Sequence, residues 1–232
     1  MQVFRSLGAA SVTVAEGAGH VRDPYFVLEE SGLLFPLAEN RTPFLDLNFD
    51  PAVATPNRGH WTKMTHLMLP RTVLEADLLV SLGKMKTHHW AGITLSMKNL
   101  FGLMPGAYYG WPKNVLHEQG LLESILDINA TVRPHLAIID GILGMGGDGP
   151  IMGDPIPSNV LVMGTNPTAV DATCARVMGI APESVEYLDR ASAFLGPIAE
   201  RWIEQRGESI GSVRVNYPLL DHIPAHRSLK KI

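Results

Sequence analysis

Apolar positions along this chain fall into short runs, and the runs alternate with stretches of helical spacing. Residues 78–82, 136–139 and 159–163 read as buried strands, with lesser ones at 11–15, 44–47 and 66–69. A helix tail is predicted at 2–8, and Asp23-Pro24 forms an N-cap and N1 pair opening a helix that stops near Gly32. One helical turn is expected at 72–76, leading into the strand at 78–82. From about Ala91 to Gly102, Ile93, Met97, Leu100 and Phe101 recur at i, i+4, i+7 and i+8 and predict a helix. Further helices are expected at 115–132, from Asn166-Pro167 to Gly179, at 182–194 and at 197–206. A short late strand at 213–215 precedes a loosely held tail. Strands alternating with helices predict an α/β fold. Its mostly parallel sheet is flanked by helices, with a ligand crevice at the strand carboxyl ends. With no repeat or low-complexity linker, 1–232 reads as a single domain.

Composition narrows the picture. In 232 residues, 46% are hydrophobic and 18% charged, which suits a packed core rather than disorder. A net charge of −4 with one local basic cluster gives nucleic-acid binding little support. No apolar run approaches the ~20 residues of a membrane span, and the first residues lack a signal-peptide pattern. A cytoplasmic location is the default. Cys174 is the single cysteine, so no iron–sulfur cluster with several thiolate ligands is expected on this chain. It lies in a helical stripe with Val170, Val177 and Met178, as a buried and inert small hydrophobe would.

Candidate chemistry concentrates at 83–102. Lys84, Lys86, His88 and His89 follow the strand at 78–82, and an extended chain puts Lys84, Lys86 and His88 on one face. Lys98 and Asn99 come on the following helix, near enough to fold back on the cluster. Several cations and two imidazoles suggest a pocket for an anion, a carboxylate or a phosphate. Lys86, Lys98, His88 and Asp140 are the candidate catalytic groups, with His88 as acid/base. Lys84, His89, Asn99, Asp148 and His20 are candidate substrate contacts.

The acidic counterpart is Asp140, at a strand end, followed by a loop with six glycines between 141 and 153 that contains Asp148. This is neither a P-loop nor a dinucleotide-binding fingerprint. Asp171, one turn into the Asn166-capped helix, adds a third carboxylate. The three can hold a divalent cation or serve in acid/base work, and each has a structural alternative as a cap, a turn residue or an ion-pair partner. Tyr108, Tyr109 and Trp111, among glycines and prolines, read as a mobile lid or as a partner patch. No zinc spacing is present.

Glu75-Ala-Asp77-Leu-Leu-Val, Lys84-Met-Lys86-Thr-His88 and Lys98-Asn99-Leu-Phe-Gly102 together resemble the signature of domain-of-unknown-function family 362. Asp140-Gly-Ile, Gly147-Asp148-Gly149-Pro150 and Ala169-Val170-Asp171-Ala172 fit it in the same order. The resemblance runs from about 11 to about 192, leaving 193–232 as a C-terminal helix and tail. Family members are prokaryotic, are often fused to ferredoxin-type modules and have no established activity. The resemblance therefore implies a ferredoxin-type partner on another polypeptide. It also implies a further N-terminal strand with a Lys-Pro-Asn element, which this sequence lacks; an exposed sheet edge and homo-oligomerisation are then expected. Two functions are in view. One is an enzyme acting on a small anionic metabolite, with or without a metal. The other is a non-catalytic ligand-binding or docking module for an iron–sulfur partner.

Overall fold

A computed structural model describes residues 1–19 and 22–232, which fall into two compact units. The first comprises Met1–Pro56, His66–Ala76 and Gly102–Glu118. In it β1 (Val14–Glu16) pairs in parallel with β2 (Phe44–Asp46), and β3 (Ala52–Pro56) pairs antiparallel with β4 (His66–Pro70). The helix Pro24–Glu30 starts as its sequence predicts. The Asp23 carboxylate accepts the Tyr25 and Phe26 N–H groups, and Gly32 follows with φ +71°. The aromatic loop is pinned, which corrects the expected mobile lid. Tyr109 is buried and its hydroxyl accepts the Met68 N–H at 2.7 Å. The Lys113 ammonium donates to the carbonyls of Met104 at 2.6 Å and Gly102 at 3.2 Å.

The second unit comprises Asn57–Thr65, Asp77–Phe101 and Gln119–Ile232 and holds the main sheet. Its strands are β5 (Val80–His88), β6 (Gly92–Thr94), β7 (Leu136–Gly146), β8 (Asp154–Ile156) and β9 (Val160–Gly164). β6 pairs with β5, β5 with β7, and both β8 and β9 pair with β7. The fold is α/β, but the expected mostly parallel sheet is corrected. Only β5 and β7 run parallel, and the other three pairings are antiparallel. The reason is connection length. Three residues separate β5 from β6 and seven separate β7 from β8, whereas a parallel pair needs a crossover of a dozen or more. The long crossover from β5 to β7 carries the helix Leu121–Thr131.

Two further expectations change. β5 does not end at Leu82. Met85 and Thr87 are buried between the outward Lys84 and Lys86, so the strand continues through the cationic segment to His88. The helix predicted from Ala91 begins only at Ser96, because the chain first turns back as β6, with Gly92 at φ +78°. The tail is tied down rather than loose. Tyr217, Ile223 and Leu229 are buried, and the Ala181 N–H donates to the Lys230 carbonyl at 2.8 Å. The predicted strand at 213–215 is absent; a helical turn Ile210–Val213 stands there instead.

Candidate functional site

Side-chain alternation along β5 decides where the candidate residues go. Ser81, Gly83, Met85 and Thr87 face the covered side of the sheet, and Leu82, Lys84 and Lys86 face the other. Lys84 stands in register with Asp140 on β7, and its ammonium donates to that carboxylate at 2.7 Å and to the Leu143 carbonyl at 3.0 Å. Partial burial works against the Asp140 charge. The Lys84 hydrogen bond, the Ile142 N–H and the Lys84 charge outweigh it and hold this carboxyl below its usual value. Lys84 and Asp140 thus neutralise each other.

Lys86 reaches the Pro150 carbonyl at 3.4 Å, and the His89 N–H donates to the Gly149 carbonyl at 2.9 Å, so one loop serves both. The glycines of that loop are there for backbone contact. A side chain at Gly149 would run into the Thr87 carbonyl, and one at Gly144 into the Tyr217 hydroxyl. His88 is buried and its Nδ1 accepts the N–H groups of Trp90 at 3.0 Å and Ala91 at 3.1 Å, which forms the turn into β6. The His88 and His89 rings lie 5.0 Å apart, and the edge of His89 meets Trp90 at 4.6 Å.

The same end of β5 gathers two histidines, His222 and His226, that are not among the candidates read from the sequence. His226 is buried, with Nδ1 accepting the Leu220 N–H at 3.1 Å. Burial pushes its pKa down. The His88 backbone and the Asp148 charge oppose that shift, while His222 and His89 reinforce it. Asp148, His88, His89, His222 and His226 therefore belong to one electrostatic cluster, with Lys86 at its rim. The signal for His226 was the apolar spacing of Tyr217, Ile223 and Leu229, which marks the tail as packed.

Lys98, Asn99 and Asp171 lie on the covered side. Asn99 donates to Ser81 Oγ at 3.1 Å, and the Lys98 ammonium sits 3.9 Å from the Phe101 ring centroid. Asp171 is fully buried and accepts Ser96 N–H at 2.8 Å, Ser96 Oγ–H at 2.5 Å and Met97 N–H at 3.0 Å, closing the first turn of the helix Ser96–Asn99. Burial pushes its pKa up to about 7 against those hydrogen bonds. The single crevice expected from the sequence is therefore divided by the sheet. Lys84, Lys86, Asp140, Asp148 and the histidines are brought together in neighbouring positions, and Lys98, Asn99 and Asp171 are not. His20 lies outside the described residues.

The donor set does not fit a metal on Asp140, Asp148 and Asp171. Among the described residues no three His, Cys, Asp or Glu side chains converge closely enough to hold one, and Asp171 spends its oxygens on Ser96 and Met97. Cys174 is fully buried and burial pushes its thiol up, as expected of an inert core residue. A cavity of about 460 Å³ lies elsewhere, lined by Arg176, Glu200 and Arg214. The buried Arg176 guanidinium is compensated there by the Ile198 carbonyl at 2.5 Å and by Glu183 and Glu200 at 3.8 and 4.0 Å.

The family described as Domain of unknown function (DUF362) matches residues 1–176, three quarters of the sequence and all of the β5–β9 sheet. The chain belongs to that family. The match ends at Arg176, so the DUF362 signature includes Lys84, Lys86, His88 and Asp140 but not His222 or His226. The chain is also similar to the thylakoid-associated protein sll1697 of Synechocystis sp. (strain ATCC 27184 / PCC 6803 / Kazusa), at 29% identity over 122 residues. That alignment takes in 52% of this DUF362 chain and 38% of the relative, so the two share well under half of the relative's length. Among the described residues no helix is long and apolar enough to cross a membrane.

Proposed function

We propose that this DUF362 chain binds a small anion, a carboxylate or a phosphate, at the carboxyl end of β5, and acts on it as an enzyme. Lys86 is the cationic anchor. His89 and His222 are the imidazoles beside it, and Asp148 is the neighbouring carboxylate. The acid/base role first assigned to His88 passes to His89, because both N–H groups that His88 Nδ1 accepts would have to be released before that nitrogen could take a proton. Lys84 and Asp140 form a closed pair and stay outside the anion site. The observation that carries this reading is the gathering of Lys86, His89, His222, His226 and Asp148 around the Gly147–Pro150 loop.

Thermal denaturation in phosphate, sulfate and succinate, at pH values below and above the imidazole range, tests this. A ligand that binds the folded state raises the melting temperature by mass action. The rise should be larger at the lower pH and should shrink in Lys86→Ala and His222→Ala. An equal rise in both variants and at both pH values would remove the anion site. The docking alternative keeps a separate observation, the uncovered face of the sheet.

A further inference from the structure

The face of the main sheet that bears Lys84 is uncovered and apolar. Leu82, Ile138 and Met163 form one row across β5, β7 and β9, and Lys84, Asp140 and Leu161 form the next. Leu82 is 65% exposed, Leu161 55% and Met163 61%; Ile142 and Leu143, protruding where β7 bulges, are 53% and 50%. A sheet with one face packed on helices ordinarily turns polar side chains to water on the other. Here the polar groups of the two rows reduce to one ion pair set among large aliphatics.

We infer that this face is the contact between two copies of the chain. Area is the first argument. Seven side chains, 35–65% exposed, at roughly 100 Å² each amount to ~700 Å² per copy, near the ~800 Å² of a standard stable interface. Charge is the second. A two-fold axis beside the Lys84–Asp140 pair sets Lys84 of one copy over Asp140 of the other, so this pair complements itself. The apolar rows on either side then meet apolar rows. An unrelated partner would need its own matching pair, and a second copy carries it by construction. The homo-oligomer expected from an exposed strand edge is thereby moved to a sheet face. The outer strands β6 and β8 have three residues each and β9 five, so the edges available for pairing are short.

Sedimentation velocity of the full chain, from about 1 to about 100 µM, tests the inference. The expected result is a concentration-dependent dimer. K84E and D140K, each alone, should weaken it tenfold or more, while circular dichroism shows that both variants fold. Mixing them should restore a dimer, because the first then presents only negative and the second only positive charge at the contact. Three results would overturn the inference: a wild-type monomer at the highest concentration, a dimer indifferent to both substitutions, or a mixture that stays monomeric. A wild-type monomer that instead co-floats with anionic phospholipid vesicles would assign the face to a membrane surface and also overturn it.

Discussion

The two faces of the main sheet use the same alternating strands in opposite ways. On the covered face the polar groups that join helix to sheet have fixed partners. Asp171 closes the helix Ser96–Asn99, Asn129 Nδ2 donates to the Met97 and Ile125 carbonyls at 2.9 and 2.8 Å, and Ser81 Oγ donates to the Ser96 carbonyl at 3.0 Å. On the open face one ion pair, 45% and 35% exposed, stands among aliphatics that touch little. Charged residues therefore mean different things on the two sides. A buried carboxylate with three donors is structure, and a half-exposed Lys–Asp pair is surface available for recognition. The most cationic stretch of the sequence, 84–98, is shared between the two, which is why it reads as one site in sequence and not in space.

The largest expected effect that would break this contrast is at Asp171. Asp171→Ala leaves three donors buried without an acceptor and should cost about 3 kcal/mol or more in urea denaturation. A loss below about 1 kcal/mol would mean that the covered face does not depend on this carboxylate.

The pH dependence of the same residue sharpens the contrast. Its folded pKa, about 7, lies above the usual 3.8, so between those values the folded state holds a proton that the unfolded state has lost. This group's contribution is complete below the lower value and is lost as the pH rises toward 7. The difference in stability between wild type and Asp171→Asn should therefore change across that window and level off above it. His226 has the opposite sign. Its pKa is depressed, so its contribution is present above about 6.5 and is lost as the pH falls toward the folded value. His226→Asn, which keeps an acceptor for the Leu220 N–H, should flatten the fall in stability on the acid side. An unchanged acid limb in the variant would show that His226 does not set it.

Next in size is Gly144→Ala, whose new methyl group meets the Tyr217 hydroxyl and the Met85 carbonyl. An overpacking cost of about 1–3 kcal/mol is expected from the unfolding midpoint. The smallest effects belong to the open face. Lys84→Ala should change the stability of the dilute chain by less than about 1 kcal/mol, and less still at high salt. A cost as large as that of Asp171→Ala would erase the distinction between the faces.

Much of the local structure is legible in the sequence because neighbours a few residues apart decide it. Asp23-Pro24 opens a helix through the Tyr25 and Phe26 N–H groups, and Asn166-Pro167 opens another through Ala169 N–H, with Gly179 at φ +74° closing it. The strand runs at 136–139 and 159–163 stand close to β7 and β9. The buried stripe of Val170, Cys174, Val177 and Met178 is where helical periodicity puts it. Tertiary structure decided the rest. Lys84 is in a strand because it pairs with β7, and Lys86 because it lies between β7 and β6; no local propensity reports that. The i, i+4 pattern from Ile93 did not make a full helix, because Asp171, 75 residues from Ser96, supplies the cap at Ser96 instead of any neighbour. The carboxylates of Asp140 and Asp171 look alike in sequence, each in a family-like segment. One faces solvent beside a lysine, the other is sealed under a helix, and only the sheet between them separates surface from core.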